Sequence, residues 1–320
     1  MKRRNFVSSL GALPFAMGSN FSFAQTEPMR LVVPYAAGGQ TDVLARMLAL
    51  SMEKTLKRQI LVDNKPGAGG IIGTRFVQQS KPDGSTMLYH NAGYISTALL
   101  RNSPPYDPVK DFDFIAHISR GPSYLMVHES VPAKNVNELI AYTRTLPNGI
   151  ECANSGMNSG GHIAALMLQK LGNMKIIHVP YKGSAEVAAA LISGEAKMQI
   201  STTTESLEPH IAAGKIRVLA IATSKRSSLT PDIPTIGETI KGYARDGWFG
   251  ILGPARIPAA TKETIASAIQ KALAEPEIIQ KYREMLQEPL FMGPEAFRKE
   301  VVESVAYQER MFSDLAIPKT

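Results

Sequence analysis

Leu31-Val32-Val33-Pro34-Tyr35-Ala36-Ala37-Gly38-Gly39-Gln40-Thr41-Asp42, continued by Val43-Leu44-Ala45-Arg46-Met47-Leu48, reads as a strand, a glycine turn and a helix. The apolar run before Pro34 suits a short buried strand, and the run after Asp42 keeps apolar residues on one helical face. Thr41 is the predicted N-cap, because its hydroxyl can accept from an N–H of the first turn. Such a turn gathers unpaired backbone N–H groups and the positive end of a helix dipole, which together attract an anion. Asp42 is not expected to touch the anion; its predicted task is to orient donors or steady the helix start. No Gly-Lys-Ser/Thr follows, so the P-loop pattern is absent.

Outward from this stretch the same alternation continues. Strands are predicted at Ile60–Asn64 and Thr86–His90, with helices over 41–56 and from Gly70 to about Ser80. Phe112–His117 and Ser123–Val127 are strand-like and lead into a second region. There, strands at 149–153, 176–179, 196–201 and 218–223 alternate with helices at 137–145, 162–171 and 185–193. Trp248–Leu252 is again strand-like, Thr261–Leu273 is helical, and the tail from Pro276 to Leu315 reads as mostly helical with breaks near Pro289 and Pro294. Strand–helix alternation of this length predicts an α/β fold with mainly parallel sheets covered by helices, and ligands at the carboxyl edge of the strands.

The first residues stand apart. Lys2-Arg3-Arg4, an apolar stretch from Phe6 to Met17, and Ser22-Phe23-Ala24 have the order of a signal peptide, with cleavage expected after Ala24. Arg3-Arg4 fits either a general or a twin-arginine export route. Removing these three basic residues lowers the formal charge from +7 to +4. The remaining excess is scattered, with no basic block, so nucleic acid is not an expected partner. Cys152 is the single cysteine, so no intrachain disulfide forms, and its place in a strand predicts a buried inert thiol. The six histidines are dispersed, which argues against a metal site.

A second polar loop, Ser155-Gly156-Met157-Asn158-Ser159-Gly160-Gly161-His162, also opens a helix. Its hydroxyls, amide and N–H groups could take a carboxylate from the side opposite Tyr35–Asp42. Two roles are open for His162, a capping histidine or a ligand contact. Ser155 lacks the G-x-S-x-G frame, because Ala153 stands at the first glycine position. Gly67-Ala68-Gly69-Gly70-Ile71-Ile72-Gly73 has Ile72 where a dinucleotide fingerprint needs glycine, and predicts a turn that packs its helix closely. Tyr181-Lys182-Gly183 and Ser201-Thr202-Thr203-Thr204 begin further turns at strand ends.

An ordered set of motifs resembles the Bug family of periplasmic solute-binding proteins, which serve tripartite tricarboxylate transporters. It comprises Pro34-Tyr35-x-x-Gly38-Gly39-x-x-Asp42, Val62-x-Asn64-Lys65-Pro66-Gly67-Ala68-Gly69-Gly70, Lys81-Pro82-Asp83-Gly84, Val179-Pro180-Tyr181-Lys182-Gly183, Pro231-Asp232-Ile233-Pro234-Thr235 and Trp248-Phe249-Gly250. The resemblance implies a two-lobed type II periplasmic-binding fold, with 27–124 plus 249–320 as lobe 1 and 125–248 as lobe 2. It implies a small carboxylate, either a di- or tricarboxylate or an aromatic acid, captured by cleft closure. The expected ligand residues are Tyr35, Ala37, Gly38, Gly39, Thr41, Asp42, Asn91, Ala92, Tyr94, Ser155, Asn158, Ser159, Gly160, His162, Thr202 and Thr203. Integral-membrane transporter subunits are the expected partner of a monomer that needs no cofactor, metal or catalytic residue. Ser201-Thr202-Thr203 stands where the family commonly has an acid, which disfavours amino-acid ligands. Two rival readings are an exported hydrolase using Ser155 and His162, and a ligand sensor for a membrane kinase.

Overall fold

A computed structural model describes residues 27–201 and 206–319, so the predicted signal peptide lies outside the described residues. The strands are β1 (Met29–Val33), β2 (Ile60–Asn64), β3 (Thr86–Asn91), β4 (Phe112–Arg120), β5 (Tyr124–His128), β6 (Ile150–Asn154), β7 (Ile176–Pro180), β8 (Met198–Ser201), β9 (Ile216–Ile221), β10 (Trp248–Pro254) and β11 (Glu288–Met292). The helices are α1 (Gln40–Leu56), α2 (Ile71–Gln78), α3 (Gly93–Leu99), α4 (Val136–Thr145), α5 (Gly160–Leu171), α6 (Ser184–Ser193), α7 (Glu208–Ala212), α8 (Ile236–Thr239), α9 (Ala259–Leu273), α10 (Pro276–Glu284) and α11 (Pro294–Asp314).

Two sheets form, ordered β11-β4-β10-β3-β1-β2 and β7-β6-β8-β5-β9. They are mixed, which corrects the expectation of mainly parallel sheets. β1 pairs in parallel with β2 and β3, while β10 runs antiparallel to β3 and β4. In the second sheet β6 is parallel to β7 and β8, and β5 is antiparallel to β8 and β9. Two of the antiparallel members, β5 and β10, are the strands that enter a sheet where the chain crosses between lobes, and the third, β11, is added on the edge beside β4. β4 hands over to β5 through Gly121–Ser123, and the return passes through Tyr243–Gly247 into β10.

The central strands are buried on both faces, which is why β1 is apolar throughout its second half. Leu31, Val32 and Val33 are fully buried and pack beneath α1 and α9 or against α3 and α11. Each contributes about 1.5–3 kcal/mol by leaving water. The second lobe has its own core around Leu125, Ile150, Cys152 and Ile200. Phe312 near the end of α11, with Ile317 just beyond the helix, belongs to that second core, whereas Phe297 and Val301 of the same helix belong to the first. Helix α11 therefore spans both lobes.

Two elements differ from the sequence reading. Gly93–Leu99, to which the sequence reading assigns no element, is helical, and its residues are buried nearly all round. Glu288–Met292 is a strand on the edge of the first sheet, paired with β4. Pro289, read as a helix break, is tolerated there because an edge strand need not donate every N–H. The Gly67–Gly73 turn packs closely as expected, since a Cβ on Gly73 would meet Pro34 and the Lys65 carbonyl at about 3 Å.

Candidate ligand-binding cleft

The carboxyl ends of β1 and β6 face each other across the lobes, and each feeds a loop into a helix start. In the first loop the N-cap is Gly39, in extended backbone, and no side chain caps the helix. This corrects the assignment of Thr41, which lies inside the first turn and on the cavity wall. Gly38 has φ +82°, a left-handed conformation that L side chains rarely adopt, and open space where a Cβ would stand. Glycine is required there by backbone conformation and not by crowding.

Asp42 holds this loop from behind. Its Oδ2 accepts from the Gly38 N–H at 2.9 Å and from Arg46 Nε at 3.1 Å. Its Oδ1 accepts from Asn64 Nδ2 at 2.9 Å and pairs with Arg46 Nη2 at 3.0 Å. Asn64 Nδ2 also donates to the Tyr35 carbonyl. Burial opposes ionisation of Asp42, but the bonds from Arg46, Gly38 and Asn64 outweigh it and hold its pKa below the ordinary carboxylate value. The Gly38 N–H is thereby occupied, leaving Gln40 and Thr41 at the helix start facing the cavity.

The second loop uses neutral groups. Ser159 is the N-cap of α5, its Oγ accepting from the His162 N–H at 3.4 Å. His162 Nδ1 accepts from the Asn158 N–H at 3.0 Å, and its ring meets His178 edge-on at 4.8 Å. Burial, followed by the nearby His178, pushes the His162 pKa down to about 4. The structure thus favours the capping role for His162. Ser155 and His162 share no hydrogen bond among the described residues, so the dyad required by a hydrolase is not assembled. Gly161 lets α5 approach the sheet closely; a Cβ there would lie about 2.5 Å from the Ile200 carbonyl.

Between the loops lies a cavity of about 100 Å³. Of the expected contacts, Tyr35, Thr41, Asn91, Ala92, Ser155 and Gly160 are on its wall. Ala37 and Gly38 are exposed beyond it, and Gly39 faces Ser184 Oγ across the lobes. Asp42, Asn158, Ser159 and His162 stand behind the wall, where their polar groups serve the loops. Tyr94 is fully buried in an aromatic cluster, its hydroxyl donating to the Pro108 carbonyl at 2.7 Å, so it too is off the wall. Thr202 and Thr203 lie outside the described residues; Ser201 beside them lines the cavity.

The sequence reading missed three wall residues with consequences. Arg245 is the one charged side chain among the described lining, and no Asp or Glu joins it. Burial lowers its pKa from the ordinary guanidinium value, while the hydroxyls of Tyr243, Tyr307 and Tyr35 work in the other direction. Asn154 is 2 % exposed; its Oδ1 accepts from the Gly156 N–H, and its Nδ2 has no acceptor among the described residues. Trp248 Nε1 is likewise a buried donor without a partner, against one orphaned acceptor, Gln40 Oε1. The register explains the convergence: Phe249 pairs with Asn91 and Tyr124 with Ser201, so both crossings pass the carboxyl edges where the loops begin.

Cys152 is fully buried, and burial pushes its thiol up to about 12, which makes it inert as a nucleophile. Among the described residues no group of three His, Cys, Asp or Glu side chains is placed to hold a metal ion. No described helix is long and apolar enough to cross a membrane.

Comparison with known proteins gives a consistent picture. The family described as the tripartite tricarboxylate transporter family receptor matches residues 44–317. The structure of the periplasmic binding protein BugD superposes with a TM-score of 0.85 at 31% identity, covering 92% of this chain and 99% of that one. An R. palustris protein solved with adipate gives 0.84 at 30% identity, over 91% and 98% of the two chains. MatC from Rhodopseudomonas palustris, solved with malate, gives 0.81 at 26%, over 88% and 98%.

Proposed function

The chain belongs to the tripartite tricarboxylate transporter receptor family of periplasmic solute-binding proteins, and from that premise we propose that it captures a small organic carboxylate in the interlobe cavity. The bound acid is then delivered to integral-membrane transporter subunits. The observation that carries this reading is the wall itself. Two helix starts, the Arg245 guanidinium and the unpartnered Asn154 amide converge on a space that no described acid lines. Backbone N–H groups at a helix start and a guanidinium fork are both suited to carboxylate oxygens, and charge assistance strengthens each bond. Adipate and malate, held by the two R. palustris relatives, are acids of this kind.

Tyr35, Thr41, Asn91, Ser155 and Gly160 are the proposed contacts carried from the sequence reading, with Asn154 and Arg245 added. Closure of the lobes over the acid removes it from water, which raises the value of each of these bonds. The mature chain begins after Ala24 and acts as a monomer. A thermal-shift screen against citrate, malate, adipate, benzoate and phthalate, with alkylamines as controls, tests the assignment. At a hundred times its dissociation constant a true ligand adds about 2.7 kcal/mol of stability and raises the melting temperature. A response to amines, or to none of the acids, overturns it.

A further inference from the structure

We propose that Met157 is an oxidation site on the second ligand loop, and that its conversion to the sulfoxide by a peroxide weakens capture of the acid. The effect on binding rests on the carboxylate reading above; the site of oxidation does not. A thioether is oxidised where the reagent can reach its sulfur. Among the described methionines Met157 alone is exposed, at 42 %. Met47, Met292 and Met311 are partly covered, and the other described methionines are buried. Cys152, the single thiol, is fully buried and stays protonated. An oxidant arriving from solvent therefore meets one open sulfur first.

That residue stands where the lobes meet. Its two neighbours are tied down within the loop: Asn154 Oδ1 accepts from the Gly156 N–H at 3.1 Å, and His162 Nδ1 from the Asn158 N–H at 3.0 Å. Gly156, Met157 and Asn158 each approach lobe 1. A Cβ on Gly156 would lie 3.9 Å from Gly69 Cα, and one on Gly69 would lie 3.2 Å from the Met157 carbonyl oxygen. Asn158 Nδ2 donates to the Leu100 carbonyl at 3.4 Å. Thr97 Oγ1 lies 3.5 Å from the carbonyl oxygens of both Gly69 and Asn158, so two acceptors share one hydroxyl donor. In the oxidation, a sulfur lone pair attacks one peroxide oxygen. The O–O bond breaks as the S–O bond forms, and the departing hydroxide takes the remaining proton and leaves as water. Sulfur gives up two electrons and the peroxide gains them. The product carries a strong acceptor at a junction already rich in acceptors, and water satisfies it better than lobe 1 does. Because these contacts join the two lobes, the cost falls on the closed, ligand-holding state.

Limited treatment of the mature protein with hydrogen peroxide, followed by peptide mapping in the mass spectrometer, tests the site. The first added oxygen is expected on Met157. Calorimetric titration then compares the singly oxidised protein with the untreated one, using whichever of citrate, malate, adipate, benzoate and phthalate gives the largest thermal shift. Affinity is expected to fall about four- to fifteenfold, what roughly one or two methylene groups of lost apolar burial amount to. Methionine sulfoxide reductase should restore it. Met157→Leu, titrated before and after the same treatment, keeps a single affinity, and Met157→Gln binds more weakly than Met157→Leu with no oxidant present. Should either variant fold poorly, the wild-type comparison before and after oxidation still decides. First oxidation at another methionine, or unchanged affinity in the singly oxidised wild type, overturns the inference and leaves the carboxylate reading standing. Binding of none of the five acids by untreated protein overturns that reading and the effect on binding with it, while the mapping still decides the site.

Discussion

The loops after β1 and β6 present helix starts to the same cavity, yet they are braced in opposite ways. The first is held by an ionised group: Asp42 collects the Gly38 N–H, Asn64 and Arg46 into one network. The second is held by neutral groups, with Ser159 capping α5 and His162 accepting from Asn158. A carboxylate brace adds negative charge behind a donor site, but its own donors neutralise it, so the cavity side stays positive. A neutral histidine adds no charge, which suits the loop that already shares its corner with Arg245. One function, presentation of backbone donors, is reached with two electrostatic designs, and the difference predicts how each loop fails.

The largest effect is expected from Asp42→Ala. It strands the Gly38 N–H, removes one of the two acceptors of the Asn64 amide and takes the carboxylate from Arg46, which keeps only its bond to Asn64 Oδ1, at a cost of about 2–4 kcal/mol, with Arg46 half-exposed and so able to recover hydration. Urea unfolding measures that loss, and ligand affinity should fall with it. A loss under 0.5 kcal/mol would dissolve the contrast between the two braces.

Acid should act on the second loop first. The His162 pKa is about 4 in the folded chain and about 6.5 when exposed, so the unfolded state takes up its proton first. Its contribution is complete above about pH 6.5 and is lost as pH falls toward 4, by at most about 3 kcal/mol. Asp42, with its pKa lowered, keeps its brace ionised through that window. Proton NMR of the His162 ring, neutral down to about pH 4, checks the assignment; titration near 6.5 would remove the distinction. The smallest change is Gly38→Ala. Because space is open and only the positive φ resists, the cost is about 1–2 kcal/mol, read from the melting curve. A cost near 4 kcal/mol would mean that crowding, not conformation, sets the need for glycine.

What could be read from the chain follows the range over which each signal acts. The strand–turn–helix at 29–56 is written in local periodicity and glycines, and so is the partner loop at Ser155–His162. Helix α3 was missed because burial on all sides removes the polar stripe that marks an amphipathic helix. β11 was missed because Pro289 resembles a helix stop until its edge position is known. Thr41 carried the right residue type for a cap, but Gly39 in extended backbone begins the helix two residues earlier than Thr41 would allow. Arg245 had no local mark at all, since its segment is irregular and its neighbours come from Gly160 and Tyr35, far away in sequence. The signal available was its place just before Trp248, where the chain crosses back to the first lobe.

Helix α11 carries a mechanical consequence. Its start is rooted in one core through Phe297 and its end in the other through Phe312, with Gln308 tied to Ser96 and Tyr307 to the Ala244 carbonyl along the way. A rod of 21 residues is about 30 Å long and scarcely stretches. The two bodies are therefore joined by a stiff strut as well as by the two chain crossings at 121–123 and 243–247. Whatever relative motion they undergo must keep the strut's anchors at constant separation, which permits swivelling about that end and forbids simple pulling apart.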